Sequence, residues 1–288
     1  MTLRPRRAAC ALTARRFAYL WFVALAGCLP DGLTEYDFDT LRPPRPEPEA
    51  DRVFERVGEA EAGTLRVVLY AEGGPHVGYT RLRVGVTDRA GAPVRQARVS
   101  VAAEVARGAG WAAAPVEGPE TTTADAEGYF SAAAFLFPEA AGRPARLRVG
   151  VEADGHAAAS ATFEVAVAAD PLGVRVVAAD GAVYHAAWVQ PQRAVVGENA
   201  FEARLFQEAP GGFAPLGGAE VQLYPYMDMG GGEGHSTPFE PPFETEAGRW
   251  RSRINFIMAG GWELSLYVRR AGLARDTVRF APFVVHER

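Results

Sequence analysis

Short runs of alternating or β-branched residues recur along most of the chain, and they constrain its fold more than any other feature. Gly, Pro and Asp separate these runs, and no segment after the first 30 residues keeps a helical period. In the first half the runs lie near 65–70, 80–87, 97–105, 129–137, 145–151 and 159–167. In the second half they lie near 174–178, 200–207, 219–226, 250–257, 262–269 and 277–285. Strands of this length and spacing predict an all-β protein built from β-sandwiches.

The two halves also resemble one another. Residues 93–99 (PVRQARV) align with residues 215–221 (PLGGAEV), and each follows a turn that contains Gly. Downstream, residues 127–130 (EGYF) align with residues 247–250 (AGRW). We therefore predict a tandem duplication of immunoglobulin- or cupredoxin-like sandwiches over 63–169 and 172–288. Superposition should pair Ala97 with Ala219 and Tyr129 with Trp250. Chance similarity between two β-domains is the alternative.

The amino terminus has the organisation of an export signal. Residues 1–16 are basic, residues 17–27 are apolar, and the whole stretch carries five arginines and no acidic residue. An apolar run of this length is too short to span a bilayer but has the length of a signal-peptide core. It ends in Leu-Ala-Gly-Cys28, which resembles the lipobox of bacterial lipoproteins. We predict a signal peptide over 1–27 and lipidation of Cys28; the alternative is a short buried helix with an incidental cysteine.

Residues 28–62 contain a dense proline segment (LRPPRPEPE), which predicts an extended spacer between the lipid and the folded part. The only other cysteine, Cys10, lies in the predicted leader, so the mature chain would fold without a disulfide. Leu29 follows Cys28 in place of the aspartate that retains some lipoproteins at the inner membrane. This favours the periplasmic face of the outer membrane.

One loop of the second half contains soft metal ligands. Met227, Met229 and His235 surround a glycine-rich segment. Thioether sulfur suits Cu(I) and imidazole suits both copper states, so these three residues are the candidate copper ligands. Two alternatives stay open: the methionines could pack in the core, and the glycines could form a turn that needs positive φ. Met258 is placed on the next core strand but one.

The Met-x-Met-Gly-Gly segment at 227–231 and the segment FIMAGGW at 256–262 resemble motifs of the YtkA-like/FixH-like family of exported and membrane-associated bacterial proteins. The resemblance covers about residues 172–288. It implies a small immunoglobulin- or cupredoxin-like sandwich, and FixH relatives are associated with the assembly of copper-containing respiratory oxidases. The present chain differs from FixH by a predicted lipid anchor in place of a transmembrane helix. The first half resembles bacterial Ig-like repeats that serve as spacers.

The net charge and the absence of known motifs exclude several classes of function. The formal net charge is −5, and removal of the five leader arginines leaves about −10, which argues against a nucleic-acid partner. The sequence contains no recognised nucleophile, metalloprotease or phosphate-binding motif, so we expect no enzyme.

The histidines at 76, 156, 185 and 286 stand apart in sequence and are expected to be surface or strand residues. The aromatic residues Phe239, Phe243, Trp250 and Trp262 are expected in the core rather than on a carbohydrate-binding platform. Two functions remain: a lipoprotein that binds or handles copper through its carboxy-terminal domain, and a metal-free structural or protein-interaction module of the cell envelope.

Overall fold

The computed structural model describes residues 52–288 except 120, 171 and 211. The predicted signal peptide, Cys28 and the proline segment lie outside the described residues. Among the residues that are described, no helix is long and apolar enough to cross a membrane. All of them belong to one compact unit.

The first half forms two facing antiparallel sheets, which we call the first sandwich. Its strands are β1 (Phe54–Ala62), β2 (Leu65–Glu72), β3 (Gly78–Asp88), β4 (Arg98–Arg107), β5 (Gly110–Ala114), β6 (Val116–Glu117), β7 (Tyr129–Leu136), β8 (Pro144–Glu152) and β9 (Ala159–Ala166). One sheet has the order β1-β2-β3-β7-β6 and the other β5-β4-β8-β9. Burial alternates along β2, β3, β4 and β8, as expected when one face of each strand meets the core. A short 3-10 helix, Pro138–Ala140, connects β7 to β8.

The second half forms the second sandwich. Its strands are β10 (Gly173–Val177), β11 (Val183–Gln190), β12 (Gly197–Ala209), β13 (Gly212–Pro215), β14 (Glu220–Gly230), β15 (Glu233–His235), β16 (Phe243–Glu246), β17 (Arg249–Phe256), β18 (Gly260–Arg269), β19 (Arg275–Arg279) and β20 (Phe283–Val285). One sheet has the order β10-β11-β12-β17-β16, with β13 paired to β12. The other has the order β15-β14-β18-β19, with β20 paired to β18. The all-β prediction is confirmed.

The strand order of the first sandwich recurs in the second. The order β1-β2-β3-β7-β6 corresponds to β10-β11-β12-β17-β16, and β5-β4-β8-β9 corresponds to β15-β14-β18-β19. The turns before β7 and β17 place Gly128 and Gly248 at positive φ, 94° and 73°. A shared topology with matching turn glycines is the structural form that a tandem duplication would take.

The predicted register between the halves is wrong by one residue at one strand. Phe130 pairs with Val84 of β3, and Trp250 pairs with Ala203 of the corresponding strand β12. Both rings are buried in the second position of their strands. Trp250 therefore corresponds to Phe130 and not to Tyr129, because side chains of neighbouring strand residues face opposite sides.

Several other expectations also need correction. The spacer predicted to reach residue 62 ends earlier, because Phe54–Ala62 pairs with β2 as an edge strand. The single strand predicted over 277–285 is divided into β19 and β20. Met258 lies between β17 and β18 and is 39% exposed, so it is not a core-strand residue. Phe243 is 54% exposed, whereas Trp250 and Trp262 are buried as expected.

Candidate functional site

The segment predicted to bind copper is a β-hairpin. Strands β14 and β15 pair with Met227 opposite His235, and the turn between them places Gly230, Gly231 and Gly232 at φ values of 82°, 67° and 85°. A side chain with a Cβ rarely adopts these angles, so the glycines are explained by the turn itself. The predicted role of the glycines as a tight turn accounts for this part of the motif.

The hairpin gives the two methionines different surroundings. Met227 is 9% exposed and belongs to the core of the second sandwich, and its terminal methyl group closely approaches Gly260. Met229 is 62% exposed and lies at an irregularity in the pairing of β14 with β15, between Asp228 and Gly230. His235 is half-buried, with its ring 5.6 Å from that of Trp262. The predicted convergence of both thioethers on one exposed pocket is therefore not found, because one sulfur is in the core and the other faces solvent.

A second set of functional side chains lies where the two sandwiches meet, a region that we call the joint. Strand β11 is buried on both faces. Tyr184, Ala186 and Trp188 point into the core of the second sandwich, whereas Ala187 and Val189 pack with the core of the first. The outer face of the sheet that contains β11 and β12 is thus covered by the first sandwich.

Aromatic rings fill the joint. The Phe137 ring lies 3.8 Å from that of Phe213, 4.5 Å from that of His185 and 5.9 Å from that of Phe206, measured between centroids. Phe206 also contacts Phe135 at 4.7 Å. Phe135, Phe137 and Phe206 are at most 3% exposed. Buried aromatic pairs contribute through both area and ring geometry, so this cluster holds the two sandwiches together.

Ion pairs surround the aromatic cluster. Glu117 of the first sandwich pairs with Arg204 and Arg249 of the second. Arg249 also lies 3.2 Å from Glu202, which is itself buried. Arg81 of the first sandwich donates a 3.3 Å hydrogen bond to the carbonyl of Val189. These contacts specify the register of the joint, since a displaced joint would leave buried charges without partners.

One side of the joint contains a buried imidazole between two carboxylates. His185 Nδ1 lies 3.8 Å from Glu139 Oε2, and His185 Nε2 lies 3.4 Å from Glu208 Oε1. Glu139 comes from the 3-10 helix of the first sandwich, and the other two residues come from β11 and β12. Burial lowers the pKa of His185, against the opposing effect of the two carboxylates. The imidazole is therefore neutral at neutral pH and keeps a lone pair on one ring nitrogen.

Sequence reasoning missed this cluster. His185 was expected to be an isolated surface or strand residue; it is a strand residue, but it is 1% exposed and adjacent to Glu139 and Glu208. Its position within the apolar run VYHAAWV was the one available signal of burial. The two glutamates could not have been identified, because only the packing of the sandwiches brings Glu139 to this place.

No family model and no curated protein matches the chain. The resemblance to the YtkA-like/FixH-like family therefore stays a prediction. Among solved structures, domains 5–6 of the S-layer protein SbsC are 11% identical, with a TM-score of 0.33, over 82% of this chain and 99% of that one. The Escherichia coli adhesin FdeC is 17% identical, with a TM-score of 0.24, over 80% and 66% of the two chains. The bacterial integrin-binding protein invasin is 13% identical, with a TM-score of 0.23, over 74% and 39%. At these TM-scores the backbones superpose poorly, so no function follows from the similarity.

Proposed function

We propose that the chain is an exported, lipid-anchored and non-catalytic protein of the cell envelope, in which the two sandwiches act as one rigid arm. The arm would hold a protein-binding surface at a fixed distance and orientation from the membrane. The observation that carries this proposal is the aromatic joint, in which Phe135 and Phe137 share a buried cluster with Phe206.

A joint of this kind distinguishes an arm from two domains on a flexible tether. Interfaces between domains of one chain are commonly polar, and relative motion is then the default expectation. Here the interface is apolar, and paired charges such as Glu117 with Arg204 surround it. Rotation of one sandwich against the other would expose the phenylalanines and separate the ion pairs, and both changes are unfavourable.

The anchor in this proposal rests on the sequence. Leu-Ala-Gly-Cys28 follows an apolar core of signal-peptide length, and a proline-rich segment follows the cysteine. A lipid chain at Cys28 would fix the amino terminus at a membrane, and the proline segment would extend away from it.

Metabolic labelling with palmitate and membrane fractionation test the anchor. Labelled palmitate should enter the wild-type chain, which should sediment with membranes and partition into detergent. Cys28→Ala should abolish both while leaving the unfolding of the sandwiches unchanged. Unlabelled wild-type protein in the soluble envelope fraction would contradict the proposal.

The copper hypothesis has its own test. A three-ligand site at Met227, Met229 and His235 would require Met227 to leave the core of the second sandwich. Competition of the full chain with a Cu(I) chelator, repeated with Met229→Leu and His235→Gln, measures the binding directly. Tight binding that both substitutions weaken would support copper handling; unchanged weak binding would leave the hairpin with its packing and turn roles.

A further inference from the structure

We propose that Glu139, His185 and Glu208 form a divalent metal site that bridges the two sandwiches and takes a borderline transition ion such as Zn²⁺. One ligand atom from each residue can be chosen so that all three lie within 4.8 Å of one another. Around Zn²⁺, with bonds of about 2.0–2.2 Å, tetrahedral ligands are about 3.4 Å apart. The three side chains would therefore have to rotate toward the ion on binding.

Buried polar atoms without hydrogen-bond partners point independently to a cation. Within the described residues, His185 Nδ1 and Glu139 Oε2 are buried and have no hydrogen-bond partner, whereas Glu139 Oε1 is ion-paired with Arg175. The His185 side chain is 1% exposed, and its Nδ1 faces Glu139. Buried polar groups in proteins are almost always satisfied, because desolvation without a partner is unfavourable. A metal ion would satisfy the imidazole and a carboxylate at once.

Two arginines pair with the carboxylates, so an incoming ion would compete with them for the ligand oxygens. Arg175 Nε lies 2.7 Å from Glu139 Oε1, and Arg107 pairs with Glu208 Oε2. Arg175 Nε also lies 4.0 Å from Glu208 Oε1, the oxygen that faces His185, so this guanidinium lies between the two carboxylates. The arginine side chains are 39% and 40% exposed, so they can turn toward solvent when an ion enters.

The donor set selects the class of ion. One imidazole nitrogen with two carboxylate oxygens suits Zn²⁺ and neighbouring transition ions, whereas Mg²⁺ and Ca²⁺ prefer oxygen ligands throughout. The neutral imidazole at His185 is already in the protonation state that metal binding needs. Three protein ligands at the rim of the joint leave a coordination position open to water or to a further ligand.

The site would couple metal binding to the joint. Glu139 belongs to the first sandwich, whereas His185 and Glu208 belong to the second, so a bound ion would add a bond across the interface. This inference does not depend on the lipid anchor, and failure of the palmitate experiment would leave it intact.

Zn²⁺ competition between the purified full chain and a chromophoric chelator tests the proposal. Wild-type protein should bind one Zn²⁺ per chain. Because the loss of even an outer-shell partner weakens metal sites about 10- to 100-fold, Glu139→Gln should weaken binding at least about tenfold. His286→Gln, which removes an exposed imidazole just after β20, should bind like the wild type.

Arg175→Gln is expected to bind Zn²⁺ more tightly than the wild type, a result that misfolding would not produce. Removal of a competing cation should tighten Zn²⁺ binding about fivefold. Zn²⁺ should also raise the midpoint of thermal unfolding in the wild type and in Arg175→Gln, and should raise it less in Glu139→Gln. The proposal is overturned if the wild type binds no Zn²⁺, if Glu139→Gln binds as tightly as the wild type, or if Arg175→Gln does not tighten binding.

Discussion

Truncation of Phe137 tests how strongly the joint couples the two sandwiches. The side chain is 3% exposed, and its ring contacts Phe213, His185 and Phe206. Replacement of a buried phenylalanine by alanine lowers the free energy of unfolding by about 3–5 kcal/mol. Two of the three partner rings are phenylalanines of the second sandwich, and each aromatic pair contributes about 0.5–1.5 kcal/mol beyond its area. We therefore expect Phe137→Ala to lower the free energy of unfolding by about 3–4 kcal/mol, mostly through lost contacts in the joint.

Urea unfolding followed by two probes separates this loss from an ordinary core defect. Circular dichroism reports both sandwiches, whereas tryptophan fluorescence mainly reports the second, which contains Trp188, Trp250 and Trp262. The two transitions should coincide in the wild type and separate in Phe137→Ala. Phe130→Ala, which removes a ring of the same kind from within the first sandwich, is the matched control. The reasoning is refuted if Phe137→Ala loses less than about 1 kcal/mol and the two probes still coincide.

Three further predictions follow from single residues. A Cβ on Gly212 would lie 2.8 Å from the carbonyl oxygen of Ala113 across the joint, so Gly212→Ala should lower the midpoint of thermal unfolding. A Cβ on Gly261 would meet open space, so Gly261→Ala should leave this midpoint unchanged. Trp262→Ala should lower the free energy of unfolding by about 3–5 kcal/mol in urea titrations, because the ring is fully buried. Burial lowers the pKa of His185, so the folded chain binds fewer protons there than the unfolded chain. The resulting stability is present above about pH 6.5 and decreases as the pH falls below it, and His185→Gln should flatten this decrease in unfolding measured from pH 8 to 5.5.

Alternation of apolar and polar residues explains which strands the sequence could predict. Strands such as β2 and β8 have one buried and one exposed face, so their pattern has a period of two. Strand β11 was missed because both of its faces are buried, which replaces alternation by a continuous apolar run. Its location between turn signals and its length were compatible with a strand, but periodicity alone could not assign it.

The same strand explains why the candidate site was not predicted. His185 is recognisable as a joint residue only once the outer face of β11 is known to be covered. Glu208 is separated from it by 23 residues, and Glu139 lies in the other half of the chain. The Met/His hairpin attracted attention because its ligand types are close in sequence, yet a strand irregularity separates the environments of Met227 and Met229. Proximity in sequence was a poor guide to proximity around an ion.

The distance between spin labels on the two sandwiches tests the central claim of a rigid arm most directly. The only native cysteines are Cys10 and Cys28, so a chain without its leader and with Cys28→Ser accepts labels at chosen positions only. Thr162→Cys and Gln222→Cys place exposed labels on the first and second sandwich. Thr162→Cys with Arg98→Cys, both in one sheet of the first sandwich, gives the reference width. The account predicts one narrow distance distribution between the sandwiches, as narrow as the reference. A broad or multimodal distribution would contradict it.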